Sequence, residues 1–307
     1  MNERTHPLVT IGIPTYNRAD GFLRQALESA LNQTYRNIEI VVSDNCSPDH
    51  TGALVTGYGD PRIRYFRHDK NIGPANNFNF CLEQAQGAYF LLLHDDDLID
   101  EDFVQVCLEK ANYETHYGVI RTGVRAIDAQ GRVKHEAPNL VEGLSTEEFF
   151  RGWFSYKTSW YLVSTLFNTQ RLKEMGGLHS KCQLLQDGVA IARLAAQYGR
   201  VDVPEIKASF RKHPDERTFA VKVGDWCDDF LDLLDLMGQL APEGAERLRV
   251  EGSRFFARLS YSRAQAVKAP LERWKTYWIV FEKFDFKHLP PPVLKVMEKF
   301  DLNEKRR

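Results

Sequence analysis

Residues 87–97, GAYFLLLHDDD, join an unbroken apolar run to three consecutive carboxylates, Asp95, Asp96 and Asp97. The run over 88–93 is roughly a third of the ~20 residues that a membrane-spanning helix needs. It suits a strand buried on both faces of a sheet. Three adjacent carboxylates repel one another, and at the end of an apolar strand that repulsion is poorly screened, so something positive must hold them there. A divalent cation answers this economically, and hard oxygen ligands point to Mg²⁺ or Mn²⁺. From this motif alone a solvated acidic loop or a helix N-terminus stays open as the alternative.

Working towards the N-terminus, residues 8–13 form a short β-branched run closed by Pro14, and residues 38–43 form another. Between them Leu23, Ala26, Leu27, Ala30 and Leu31 fall at i, i+3, i+4, i+7 and i+8, the stripe of an amphipathic helix. The result is a β-α-β unit. Residues 63–66 add a strand, and residues 74–86 read as a helix finishing at Gly87. The pattern predicts an α/β fold with a mostly parallel sheet flanked by helices, whose ligand site lies at the carboxyl ends of the strands. Two further strand exits meet there, residues 10–18 and residues 42–49, and Asp44 stands where an acid would hydrogen-bond a base or ribose. Neither G-x-G-x-x-G nor G-x-x-x-x-G-K occurs, so dinucleotide and P-loop fingerprints are absent.

From Tyr117 the pattern changes to short extended pieces with a hairpin turn at 128–131, then helical segments at 147–154 and 188–197. Beyond about residue 224 the chain reads as helical. Trp226, Phe230, Leu233, Leu234 and Met237 form one stripe, Phe255, Phe256 and Leu259 a second, and Leu271, Trp274, Tyr277, Trp278 and Phe281 a third. A proline run at 290–292 precedes a last short helix. The expected division is 1–223, with halves 1–115 and 116–223, followed by a helical C-terminal subdomain at 224–307.

Forty basic against 42 acidic side chains, net charge −2, leave no global field for nucleic acid. The polar N-terminal residues 1–7 do not resemble a signal sequence, and a cytoplasmic protein is expected. Five scattered cysteines without a C-x-x-C pair read as reduced thiols. The charge is uneven, however: residues 225–240 carry five acids and no base, whereas residues 243–307 hold 15 Lys and Arg against 9 Asp and Glu. A basic, aromatic-rich helical tail fits a peripheral contact with anionic lipid, and it equally fits the solvated faces of core-packed helices.

In their order and content, the stretches IGIPTYNR at 11–18, EIVVSDNCSPD at 39–49, Asn71-Ile72-Gly73 with Asn79, and GAYFLLLHDDD resemble the nucleotide-sugar half of a family 2 glycosyltransferase of the GT-A fold. The resemblance covers residues 8–105 well. It continues more loosely through Leu166-Phe167, Gly176-Gly177 and Leu185-Gln186-Asp187 to about His213. It implies transfer of a sugar from a nucleotide diphosphate to an acceptor hydroxyl, with inversion at the anomeric carbon. The nucleotide would meet Pro14, Thr15, Tyr16, Asn17, Arg18, Asp44, Asn71, Gly73, Asn79 and Asp95. Mn²⁺ or Mg²⁺ would be held by Asp95, Asp96, Asp97 and His213, and Asp187 would be the base. Two departures from the family pattern are His94, where many relatives carry Asp, and Gln186, where Glu is usual.

Trp153, Trp160 and Tyr161 lie between the acidic motif and Asp187 in sequence, as acceptor-stacking residues or as core. The implied partners are a nucleotide-diphosphate sugar and a glycan or lipid-linked glycan acceptor of a bacterial surface polysaccharide, with the enzyme in the cytoplasm or at the inner face of its membrane. The competing readings are a non-catalytic nucleotide-sugar-binding or partner-binding member of the same fold and a sugar nucleotidyltransferase.

Overall fold

The computed structural model describes residues 6–213 and 221–304, with side chains to residue 297; residues 1–5, part of the polar N-terminal stretch, lie outside it. Within this range the chain folds as β1 (Val9–Thr15), α1 (Leu23–Leu31), β2 (Ile38–Asp44), α2 (Thr51–Thr56), β3 (Ile63–Arg67), α3 (Pro74–Gln84), β4 (Tyr89–Leu92) and β5 (Leu98–Ile99). There follow α4 (Phe103–Lys110), β6 (Val119–Asp128), β7 (Val133–Ala137), α5 (Thr146–Phe154), β8 (Thr165–Asn168), α6 (Thr169–Glu174), α7 (Gln186–Tyr198) and β9 (Arg200–Lys212). The C-terminal helices are α8 (Val223–Leu240), α9 (Ala245–Gln265), α10 (Pro270–Lys283) and α11 (Pro291–Glu304).

One sheet runs in the order β3-β2-β1-β4-β8-β6-β9-β5, with β7 on β6. The expectation of parallel strands holds for β3, β2, β1 and β4. Beyond β4 the sheet is mixed, because β8 is antiparallel to both β4 and β6, while β9 is parallel to β6 and antiparallel to β5. Every residue of β1, β2 and β4 is buried, which is why these strands read as continuous apolar runs rather than alternating ones. Leu23, Ala26, Leu27 and Ala30 of α1 bury the predicted stripe against this sheet.

The hairpin expected at 128–131 joins β6 to β7, with Gly131 in the left-handed region (φ +79°). Helix α5 starts at a full capping box, Ser145 with Glu148, a start signal that the apolar pattern does not use.

The residues divide into two compact units. One takes in the sheet and α1–α7, and the other takes in the helices from α8 onwards together with Ser180–Leu185. That six-residue segment precedes α7 and falls within the predicted half 116–223, yet it packs with the helices. Asp229 of α8 is the reason. Only 1% exposed, it accepts from the backbone N–H groups of Cys182 (2.6 Å), Leu184 (2.9 Å) and Leu185 (3.2 Å) and from Ser180 Oγ (2.7 Å). Asp229→Ala is expected to destabilise this helical unit by about 3 kcal/mol, because it strands several donors at once. A thermal unfolding transition within a degree of wild type would refute that role.

In the helical unit Trp226, Phe230, Leu233, Leu234, Met237, Phe255 and Phe256 are core. No helix among the described residues is long and apolar enough to cross a membrane.

Candidate active site

The parallel strands β1, β2 and β4 deliver their carboxyl ends to one edge, with Thr15 opposite Asp44 in register. The two exit loops are stitched together there: Asn45 N–H donates to Thr15 O (2.9 Å), Asn17 N–H to Ser47 Oγ (2.8 Å) and Ala19 N–H to Asp49 Oδ2 (3.0 Å). Asn17 and Cys46 both hold positive φ (+55° and +66°), a local cost of the kind that concentrates at functional loops.

Asp44 is fully buried. Its Oδ1 accepts from Ser47 N–H (2.8 Å) and its Oδ2 from the Tyr65 hydroxyl (2.5 Å), while Arg67 Nε lies 4.0 Å away. These contacts hold the carboxylate in one orientation. Asn71 is tied to the same loop, accepting from Asn45 Nδ2 (3.0 Å) and Gly73 N–H (2.9 Å). Asn79 acts elsewhere, since its side chain donates to Leu178 O (3.1 Å) and accepts from Leu178 N–H (2.8 Å). It braces the Gly176-Gly177 turn, where both glycines have φ near +90° and a Cβ on Gly177 would collide with Asn79 Oδ1. The glycine pair is thus a packing and backbone requirement.

The acidic motif turns sharply after β4 and is held from two sides. Asp95 Oδ2 accepts from Thr15 Oγ1 (2.7 Å), and the Tyr16 N–H also bonds this carboxylate. On the other side β5 pairs antiparallel with β9, Leu98 against Ser209, and this brings the end of β9 onto the acids. Asp97 Oδ1 accepts from Arg211 N–H (2.9 Å). The Arg211 guanidinium lies over the Phe22 ring (4.3 Å) and donates to Asp96 O (2.7 Å), Gln25 Oε1 (2.9 Å) and Asp128 O (3.3 Å). His213 Nε2 sits 2.9 Å from Asp96 Oδ2. Residues more than a hundred positions apart in sequence are therefore in hydrogen-bond contact.

The charges here are under-compensated. Burial, then the neighbouring Asp96 charge, raises the Asp95 carboxyl to about 6, against the pull of Thr15 and Arg18. The same two causes hold Asp97 well above the usual carboxylate range despite Arg211, and burial lowers the His94 imidazole. Ligand atoms of His94, Asp96 and Asp97 lie within 4.8 Å of one another, and His94 Nε2 is buried without a hydrogen-bond partner among the described residues. Two carboxylates, an imidazole and excess negative charge fit a hard or borderline divalent cation. The convergent donor set differs from the one expected: His94 joins it in place of Asp95, whose carboxylate is engaged by Thr15 and Tyr16, and His213 reaches the set through Asp96.

Asp187 stands in the first turn of α7, half-buried, with Oδ1 accepting from Gly188 N–H (2.8 Å). Gln186 beside it is 8% exposed. A neutral amide there puts no second buried carboxylate next to Asp187. Of the proposed acceptor aromatics, Trp160 needs correction. At 3% exposure it is stacked on Trp153 (4.6 Å) and on Phe149 (5.0 Å) of α5, so it is part of the core and not an open stacking surface. Trp153 is half-buried at the edge of this stack, and Tyr161 is stacked on Phe210 (4.9 Å).

The family model for glycosyl transferase family 2 matches residues 10–173, which run from the second residue of β1 through β8 and include the acidic motif. The chain belongs to glycosyltransferase family 2. Curated relatives include the succinoglycan biosynthesis protein ExoO of Rhizobium meliloti, 40% identical over 106 residues, 34% of this chain and 30% of the relative. Another is the chondroitin synthase of Escherichia coli, 32% identical over 130 residues, 41% of this chain and 18% of the relative. This family 2 chain thus spans less than a third of the length of either. Among solved structures, S. aureus TarS 1–349 in complex with UDP-GlcNAc superposes with a TM-score of 0.70 at 16% identity, covering 90% of this chain and 80% of that one. The mannosyltransferase PcManGT from Pyrobaculum calidifontis, with GDP-Man and Mn²⁺, gives 0.54 at 17% identity over 88% and 79%. The fold shared with these structures is GT-A.

Proposed function

We propose that the chain transfers a sugar from a nucleotide-diphosphate sugar to a hydroxyl of a glycan or lipid-linked glycan, with inversion, during assembly of a bacterial surface polysaccharide. The observation that carries this reading is the meeting of Asp44, the Thr15–Asp95 pair and the His94, Asp96, Asp97 and His213 cluster at one edge of the sheet. The roles named for ExoO, in succinoglycan biosynthesis, and for chondroitin synthase support the polysaccharide setting, and the UDP-GlcNAc held by TarS supports the donor class. The transferase is assigned to residues 1–223 and the helical subdomain to residues 224–307, acting on the cytoplasmic side of the membrane.

In this reading Asp44, fixed by Ser47 and Tyr65, meets the base, and Asp95 meets the ribose, with Pro14–Arg18 and Asn71–Gly73 shaping the pocket. His94, Asp96 and Asp97 would hold Mn²⁺ or Mg²⁺, which supplies positive charge to a departing diphosphate. Asp187 takes the acceptor proton as the hydroxyl oxygen bonds to the anomeric carbon and the bond from that carbon to the diphosphate oxygen breaks. Arg211 keeps Asp96 and Asp97 in place through its backbone and guanidinium bonds.

Incubation with UDP-, GDP-, dTDP- and CMP-linked sugars and Mn²⁺ tests the reading. One donor is expected to yield its free nucleotide slowly by hydrolysis and faster with a suitable acceptor, and EDTA is expected to stop both. No release from any donor, together with equal nucleotide affinity with and without metal, would leave a binding protein only.

A further inference from the structure

Helix α10 is apolar on two sides, and only one of them is covered among the described residues. Tyr277, Val280 and Phe284, at i, i+3 and i+7, are buried at 4%, 0% and 2% exposure where α10 packs with α8 and α9. The other stripe is not part of any core. Leu271 is 70% exposed, Trp274 50%, Trp278 60% and Ile279 39%, and Phe286 just beyond the helix is 54% exposed. The rings of Trp278, Phe281 and Phe286 cluster with centroids 5.2–6.1 Å apart. Single exposed apolar residues are ordinary, but a contiguous aromatic patch on a helix face marks an interaction surface.

Charge distinguishes what that surface fits. Residues 268–297 carry six Lys and Arg against three acids, with Lys268, Lys275 and Lys287 exposed; Lys275 pairs with Glu272 (2.8 Å) and Lys287 with Asp285 (3.3 Å), so the positive excess is modest. The acids of α8 fall elsewhere: Asp228 pairs with Lys283 (2.6 Å) and Asp232 with Lys181 (3.1 Å). Lys283 lies five residues beyond Trp278, about 140° round the helix, so that acidic side borders the face at Ile279, next to Gly224 of α8, and lies away from Trp278. Tryptophans with apolar bodies and polar N–H groups, flanked by lysines and fewer acids on a helix too short and too polar to cross a membrane, match the headgroup region of a bilayer.

We propose that the face formed by Leu271, Trp274, Trp278, Ile279, Phe281 and Phe286 seats the helical unit on a bilayer surface carrying anionic lipid. This face belongs to the helical unit alone, and its role does not depend on the transferase reading. A membrane-seated helical unit would nonetheless suit a lipid-linked acceptor, since enzyme and acceptor would then share one surface.

Flotation of the full chain with vesicles of phosphatidylcholine, and of phosphatidylcholine mixed equally with phosphatidylglycerol, provides the test. Wild type is expected to float with the mixed vesicles, with a blue shift of tryptophan emission and quenching by brominated lipid. The variant Trp274→Ser, Trp278→Ser, Phe286→Ser is expected to lose about tenfold or more in partitioning, with its melting temperature and nucleotide release unchanged. Lys275→Glu with Lys287→Glu is expected to remove the preference for the mixed vesicles while sparing weak binding to neutral ones. Wild type that floats with neither vesicle, or a triple variant that floats as well as wild type, would overturn the proposal. So would a solution dimer that the triple variant dissolves in the absence of any lipid binding, since a second copy would then cover the face.

Discussion

Asp96→Asn is expected to lower nucleotide release and sugar transfer at least about a thousandfold, equivalent to about 4 kcal/mol on the barrier. Asp96 is the acid on which the cluster turns. Its charge helps to raise both Asp95 and Asp97, its Oδ2 faces His213 Nε2 at 2.9 Å, and it belongs to the convergent donor set with His94 and Asp97. The amide keeps the shape and retains an oxygen for His213, so the fold should survive, but one negative charge leaves the set. The discriminating measurement is nucleoside-diphosphate affinity with and without Mn²⁺. Wild type should bind more tightly with the metal, and the variant should bind equally in both conditions. A variant retaining more than a tenth of wild-type turnover would remove Asp96, and with it the proposed cation site, from the mechanism.

Asp187→Asn is expected to cut transfer by about 10²–10⁴-fold, the range for loss of a general base, while leaving donor affinity unchanged. The physical case is its place in the first turn of α7, where the helix dipole favours the ionised carboxylate. Gln186 adds no charge of like sign. The two substitutions separate two functions: the change at Asp96 should damage metal-dependent nucleotide binding, and the change at Asp187 should damage only the step that removes the acceptor proton. Donor affinity that falls in Asp187→Asn, or transfer that stays near wild type, would assign the base to another residue.

Local pattern was enough for the parallel half of the fold. Strands buried on both faces leave continuous apolar runs, and the helix between the first two leaves a 3.6-residue stripe, so the four strands with α1 and α3 could be placed without tertiary information, whereas the short α2 could not. The same logic located the acidic motif, because consecutive carboxylates after an apolar strand are electrostatically conspicuous. It could not locate β9. Pro204, Glu205 and Lys207 interrupt the alternation of that 13-residue strand, and its stability comes from a long pairing with β6. The placement of Arg211 and His213 against Asp96 and Asp97 is a consequence of that pairing.

Three residues or elements mark where sequence and tertiary structure part. His94 looks like a departure from a family pattern until folding brings its imbalance of burial and charge beside Asp96 and Asp97. Asp229 looks like one of five solvated acids until its helix turns it into the buried acceptor of the Ser180–Leu185 segment. In α10, periodicity marks Leu271, Trp274, Tyr277, Trp278 and Phe281 as one apolar set, and only the packing of α8 and α9 separates the buried Tyr277 from the exposed tryptophans. By itself the sequence determined the α/β core and the position of the acids, since these rest on hydrophobic period and on like charges crowded within a few residues, while the order of its motifs carried the resemblance to the family. Tertiary structure alone decided which donors converge, which acids are buried and which aromatic face remains open, because each depends on partners that are far away in sequence and are chosen by packing.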